Sequence, residues 1–335
     1  MNTKRRIQSL NQLRGISAIM VVMSHIENMR TVFGAACGSF AVCMFFLMSG
    51  FLAVLSTENG DNRFLIKRVV KLLPLYYSVT LFTFILALKK PEWFNTTNPT
   101  ISNLVRSLLF IPYQNENGLI RPILDVGWYL NVQVIVYIIF WVAMIISHKN
   151  RAVISSAVLL ILYGVGAIFL KENAFYRLYQ DGLLMSSIGE LSFLVYQKGK
   201  WIFNNKKNVP FSAILFCTTL FSGMLYSICK ENAFSVLMVI IPIINYIVYL
   251  LLDSFIIETK TLNFVNTISL SLYLTHEFVV KGVSRLVIPL NELTLLKVAM
   301  SVVCIGVSIC IAYVVNWLIE NKLTGYIFLL VSKGS

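Results

Sequence analysis

Residues 10–29 read LNQLRGISAIMVVMSHIENM. An apolar stretch near 12–29 is long enough to cross the ~30 Å hydrocarbon core of a bilayer as a helix. It nevertheless holds an arginine, Arg14, and a histidine, His25. A charge at the membrane centre costs roughly 2.5–3.5 kcal/mol on insertion scales, so such a residue needs a role or a partner. Arg14 and His25 stand eleven positions apart. At 100° per residue that is three turns plus about 20°, which puts both on one helix face about 16 Å apart along the axis. Two readings stay open. One polar stripe runs through roughly half the hydrocarbon thickness, or Arg14 snorkels to the inner interface while His25 ends the helix outside.

The rest of the chain supports a membrane reading of that stretch. Of 335 residues, 57% are hydrophobic and 13% charged, where a soluble domain carries about a quarter charged residues. Soluble globular, disordered, collagen-like and disulfide-scaffold classes are excluded on these figures. Further apolar segments fall near 38–57, 72–89, 128–147, 152–170, 182–197, 210–229, 234–253, 264–284 and 295–319. The expected fold is therefore all-α, a polytopic transmembrane helix bundle of about ten spans. It forms one domain over 1–335, with no separate soluble domain. The segment 101–112 is apolar but too short to span, so it lies at the interface or re-enters. Lys4, Arg5 and Arg6 precede the first apolar stretch as in a signal peptide. No small-residue cleavage site follows, so an uncleaved first span is expected. No internal repeat is visible, and an inverted-repeat transporter gains no support.

Lys and Arg number 28 against 15 Asp and Glu, a net charge of +13. With the N-terminus in the cytoplasm, 16 basic residues fall on the inner side and 11 on the outer. That bias places both termini inside. Most of the surplus is thus topology, and nucleic acid drops out as a partner. The six cysteines lie in or beside apolar segments without ligand spacing and read as small core residues. No metal site is expected.

Three segments beyond the first carry chemistry. His276 lies in SLSLYLTHEF, within an apolar span, with Glu277 beside it. Histidine is suited to accept a hydroxyl proton near neutral pH, although a polar contact between helices explains His276 equally well. The third histidine, His148, adjoins Lys149 at a helix end. In CMFFLMSGFL, Ser49 and Gly50 follow two phenylalanines. Small residues permit close helix approach, and a nucleophilic serine would need a paired base. In RFLIKRVVKLLPLYY, Lys67 and Lys71 are i,i+4 and Arg68 and Lys71 i,i+3, so a helix there presents one basic face. Pro74 then kinks or starts the third span. The segment anchors topology, or it clamps a polyanionic ligand such as a nucleotide phosphate.

Together these segments resemble the integral-membrane acyltransferase-3 family. The family's arginine, ten residues, then histidine is matched by Arg14 and His25, within a similar RGISA. Its FFxxSGF is matched by Phe45, Phe46, Ser49, Gly50 and Phe51. Its RxxRxxPxY is matched by Arg68, Pro74 and Tyr76, with Lys71 for the second arginine. Its WxLxxExxxY is matched by Trp128, Leu130 and Tyr137, with Gln133 where an acid is usual. Its SxxLYLxH is matched by Ser269, Leu272, Tyr273, Leu274 and His276. IENK around Glu320 is similar to the closing IExP, without the proline. The elements occur in order over the whole chain.

The resemblance implies a membrane O-acyltransferase of a bacterial inner membrane. Such an enzyme moves acetyl from acetyl-CoA, a co-substrate, onto a sugar of a surface polysaccharide (O-antigen, capsule or exopolysaccharide) or its lipid-linked precursor. Arg68 and Lys71, with Lys67, would engage the CoA phosphates. Arg14 would hold the buried part of the donor or stabilise developing negative charge. His25 would act as general base, and the motif puts Ser49 in the same site, either orienting the thioester or carrying the acyl group. His276 and Glu277 would line the acceptor side. Trp128 and Tyr129 would stack on a sugar or form an interfacial belt. The rival classes are a transporter or flippase of a glycolipid or small solute, and a scaffold without chemistry.

Overall fold

The structure is a computed structural model and describes residues 7–60, 63–94, 97–115, 117–198, 211–253, 259–286 and 294–326. Lys4, Arg5, Arg6, Lys200, Lys206, Lys207 and Lys333 of the inner-side basic set lie outside the described residues. In chain order the helices are α1 (Gln8–His25), α2 (Glu27–Phe33), α3 (Cys37–Ser56), α4 (Phe64–Lys89), α5 (Ile101–Leu108), α6 (Trp128–Ile146) and α7 (Arg151–Phe169). There follow α8 (Ala174–Lys198), α9 (Phe211–Glu231), α10 (Ser235–Leu251), α11 (Lys260–Thr267), α12 (Ser269–Leu286) and α13 (Thr294–Val315), which runs into a π-helical segment at Asn316–Leu323. The fold is all-α, as the composition requires. The only strand pairing among the described residues joins β1 (Tyr113–Gln114) antiparallel to β2 (Ile120–Arg121), with Tyr113 opposite Arg121.

Ten of these helices, α1, α3, α4, α6 to α10, α12 and α13, have 17 residues or more and coincide with the ten expected spans. Among the described residues six are long and apolar enough to cross a membrane by length and composition. Of the remaining four, α10 has 17 residues. The others carry the charges that bear on function or packing: Arg14 in α1, Glu190 in α8, and Glu277 and Lys281 in α12. Two boundaries differ from expectation. The first helix stops at His25, because Ile26 is extended (φ −87°, ψ 118°) and a short second helix starts at Glu27. The third long helix begins at Phe64 rather than near residue 72, and Pro74 sits inside it. Proline removes one helical hydrogen bond, but flanking turns rich in Leu, Val and Tyr carry the helix through. Lys67, Arg68 and Lys71 therefore lie on the helix itself.

The chain forms two compact units. The first takes its residues from 1–48 and 194–312. Here α1 packs along α11 and α12 and also touches α9 and α10, which pair with each other. Thirteen of the eighteen residues of α1 are buried. Gly15 lets it approach α11, since a Cβ there would lie 3.1 Å from the Leu262 carbonyl oxygen. The Asp253 carboxylate accepts from the Ser9 N–H at 2.9 Å and so satisfies one of the open donors at the start of α1.

The second unit takes its residues from 49–193 and 313–335, so α3 begins in one unit and ends in the other. In this unit α6 packs on α7, while α4 packs on α5, α6 and the π-helical segment. Buried Arg151 uses three nitrogens at once. Nε donates to Thr57 Oγ1 (2.7 Å), Nη1 to the His148 carbonyl (2.6 Å) and Nη2 to the Val54 carbonyl (3.1 Å). It thereby closes the carbonyl ends of α3 and α6, where a cation is favoured. The α5 helix has eight residues, ~12 Å at 1.5 Å per residue, and cannot span. Ile101, Val105, Leu109 and Ile111 of this segment are exposed. Its inner side is held by Tyr76, whose hydroxyl donates to the Ser107 carbonyl at 2.9 Å and whose ring stacks on Phe110.

Gly50 marks a close backbone-to-backbone helix crossing in the second unit. A Cβ there would lie 2.2 Å from the Ser186 carbonyl oxygen and 3.0 Å from the Glu190 nitrogen, both backbone atoms of α8. Gly50→Ala forces the two helices apart. Overpacking of this kind costs about 1–3 kcal/mol, and the expected result is a thermal midpoint several degrees lower in a detergent melt monitored by tryptophan fluorescence. An unchanged midpoint would show that α8 yields at this point.

Candidate functional site

The polar residues of the first unit gather at the end of α1. His25 is the last residue of that helix and is exposed. Its Nδ1 lies 2.9 Å from the Val21 carbonyl oxygen and 3.1 Å from Ser24 Oγ. The Ser24 hydroxyl itself donates to the same carbonyl at 2.7 Å. A carbonyl only accepts, so the proton of the neutral ring is on Nδ1 and the Nε2 lone pair is left for chemistry. The bulk of a side chain at Gly38 would collide with Ser24, because a Cβ there would lie 2.3 Å from its Oγ. Glycine at that position in α3 keeps this serine and the His25 ring in register.

The ring of His276 on α12 meets that of His25. Their centroids are 4.8 Å apart at an interplanar angle of 71°, an edge-to-face arrangement. His276 is wholly buried, and its Nδ1 lies 2.8 Å from the Tyr273 carbonyl and 3.2 Å from that of Leu272. Its Nε2 has no partner among the described residues. Glu277 is the next residue, but a 100° step turns it away, and it pairs with Lys281 at 2.7 Å, one turn on. Half-buried Arg14 stands on α1 three turns before His25, ~16 Å along the axis. Of the residues marked out in the sequence, this unit therefore brings His25 and His276 into contact.

The second unit holds the other marked residues in two clusters. Ser49 Oγ lies 3.2 Å from the Tyr129 hydroxyl, which donates to Gln133 Oε1 at 3.1 Å. Since the phenol has one proton and spends it on Gln133, Ser49 is the donor to Tyr129. The hydroxyl chain runs Ser49 to Tyr129 to Gln133 and ends in a carboxamide, which cannot take up a proton near neutral pH. Tyr129 is therefore a buried hydrogen-bonding residue rather than an open stacking platform. Trp128 is half-buried, with the Arg121 guanidinium 5.4 Å from its ring centre. The i,i+4 spacing of Tyr129 and Gln133 on α6 was readable in advance; the arrival of Ser49 from α3 was not.

Arg68 forms the second cluster. Its Nη2 donates to the Leu52 carbonyl and to Ser56 Oγ, both at 3.0 Å. Its guanidinium lies 5.4 Å from the ring centre of Phe64 and 5.5 Å from that of Tyr137. One edge of the Arg68 fork is thus spent on the last turn of α3. Lys71 is exposed and Lys67 half-buried on the same helix. Glu190, within the apolar segment near 182–197, is wholly buried, with Ser155 Oγ donating to one carboxyl oxygen and Ser156 Oγ to the other, each at 2.9 Å. Among the described residues no cluster of three or more His, Cys, Asp or Glu side chains has the arrangement of a metal site.

A family model described as an acyltransferase domain matches residues 7–317. No curated protein and no solved structure matches the chain significantly.

The double role of Arg68, as a helix-end cap and as a cation between two rings, distinguishes it from a plain positive charge. Arg68→Lys keeps the charge but cannot reach Leu52 and Ser56 from the same position between the rings. The expected outcome is a loss of about 1–3 kcal/mol, visible as a lower thermal midpoint without any ligand present. A midpoint equal to that of the parent would mean that only the charge matters.

Proposed function

The chain belongs to the acyltransferase-3 family and is a multi-pass membrane acyltransferase, and from that premise we propose that it moves acetyl from acetyl-CoA to a sugar hydroxyl. The acceptor is a bacterial surface polysaccharide, of O-antigen, capsule or exopolysaccharide type, or its lipid-linked precursor. The proposed location is the bacterial inner membrane with both termini in the cytoplasm, where the positive-inside bias puts them. The family match favours group transfer over the carrier and scaffold alternatives.

The observation that carries this reading is the state of His25. Its Nδ1–H is tied to the Val21 carbonyl, and its Nε2 lone pair is open on an exposed ring at a helix end. That is the form a general base needs. In the proposed reaction Nε2 takes the proton of the acceptor hydroxyl as its oxygen attacks the thioester carbonyl carbon. The tetrahedral intermediate then collapses with cleavage of the C–S bond. The imidazolium returns its proton to the departing thiolate, giving the acetyl ester and free CoA.

Arg14 is ~16 Å from His25 along α1, beyond the reach of one side chain to a reaction centre beside the imidazole. It therefore holds the buried part of the extended donor rather than the developing oxyanion. Ser49 orients the thioester, because its hydroxyl chain leads through Tyr129 to the neutral Gln133 amide. Lys71 and Lys67, with the free edge of Arg68, take the phosphates of CoA. Trp128 and Tyr129 act on the acceptor by hydrogen bonding and edge contact rather than by open stacking.

Two measurements test this. His25→Ala should insert normally and lose acetyl transfer from labelled acetyl-CoA by at least about 10²-fold; transfer at the parent rate would remove the base assignment. Lys71→Ala should raise the dissociation constant for acetyl-CoA about tenfold, the loss of one charge-assisted contact. Unchanged affinity would return the basic face of α4 to topology anchoring.

A further inference from the structure

We propose that His276 is a specificity-determining residue, and that the two imidazoles together select an acceptor with two adjacent hydroxyls, a vicinal diol, over a lone alcohol. This inference rests on His25 as the base. His276 is 0% exposed, and its ring nitrogens are in different states. Nδ1–H is spent on the carbonyls of Tyr273 and Leu272, so Nε2 is an acceptor, and it has no partner among the described residues. A buried acceptor left unpaired costs about 1–3 kcal/mol. Packing does not require that nitrogen. A phenyl ring of similar size would fill the same edge-to-face position against His25 at 4.8 Å and the same tilted position beside Tyr273 at 6.2 Å.

Among the described residues the neighbours do not supply the missing donor. The N–H of His25 is turned to the Val21 carbonyl, and Glu277 is engaged with Lys281. The donor is therefore a group that enters with the substrate. The reacting hydroxyl gives its proton to Nε2 of His25. A second hydroxyl on the neighbouring carbon lies about 2.8 Å from the first, at hydrogen-bond distance, and donates to Nε2 of His276. A lipid alcohol or a serine side chain offers one O–H and leaves His276 unpaired. Sites built to hydrogen-bond a substrate hydroxyl discriminate strongly against analogues that lack it.

The chain has three histidines, His25, His148 and His276, so full-length protein labelled with ¹⁵N-histidine gives a readable NMR spectrum in detergent. His276→Phe assigns one set of resonances and keeps the ring contact. The probes are cis-1,2-cyclohexanediol and cyclohexanol at equal concentration. The diol should move the Nε2 resonances of both His25 and His276, and cyclohexanol that of His25 alone. The diol should also bind about five- to tenfold more tightly, the worth of one hydrogen bond, and this preference should vanish in His276→Phe. A His276 Nε2 resonance unmoved by the diol, or equal affinity for the two probes in the parent protein, overturns the inference, and a shift at His25 in that case leaves the base assignment standing. Silence of His25 towards both alcohols overturns the inference together with the base.

Discussion

Inside a bilayer no water is at hand to satisfy a polar side chain, and every hydroxyl, imidazole or carboxyl must find its partner in the protein. This constraint accounts for most of the polar structure. Serine and threonine hydroxyls turn back to carbonyls one turn earlier in their own helices, as Thr83 does to Val79, Thr219 to Leu215 and Ser308 to Cys304. Glu190 takes one serine on each oxygen, and Arg151 takes three acceptors. Both intramembrane histidines dispose of their Nδ1 protons on carbonyls of the preceding turn. Several buried polar atoms among the described residues lack a protein partner, Ser17 Oγ and both side-chain atoms of Asn131 among them, and Nε2 of His276 is the one whose ring meets that of His25.

The helical fold was legible because spanning helices must be long, apolar and separated by polar breaks, and all three properties are local in sequence. The ten apolar segments became ten long helices. Errors fell where a local rule met a competing one. Pro74 was expected to start or kink a span, yet the helix begins ten residues earlier at Phe64, since a single lost hydrogen bond does not outweigh continuous helix-forming flanks. The first span was drawn to residue 29, yet Ile26 leaves helical geometry at once. That second error matters more. It puts His25 at the last position of the helix, as the second reading of that stretch had it, where the imidazole is exposed while its backbone is still fixed.

The site was legible only as a set of residue types. Arg14 and His25 on one face followed from helix periodicity alone. That His276, 251 positions after His25, would meet its ring edge to face is a tertiary fact with no local signal. The same holds for Ser49 and Tyr129. Glu277 shows how adjacency differs from contact. It adjoins His276 in sequence, but neighbours on a helix point 100° apart, and its salt-bridge partner Lys281 is one turn on.

Gln133 carries a mechanistic consequence that its position alone would not reveal. An acid at the end of the Ser49–Tyr129 chain would give that chain a proton acceptor, and a serine linked to a base through a phenol has a route to becoming a nucleophile. A carboxamide closes the route: it accepts the Tyr129 proton in a hydrogen bond but cannot remove it. In the proposed mechanism the base function then falls on the histidine whose Nε2 is open, with acyl transfer direct from donor to acceptor. Gln133→Glu is the substitution that separates these cases. If the hydroxyl chain only orients, a carboxylate in that place should leave the His25→Ala variant inactive. Labelled acetyl appearing covalently on the Gln133→Glu protein would show that Ser49 needed only a base to become a nucleophile.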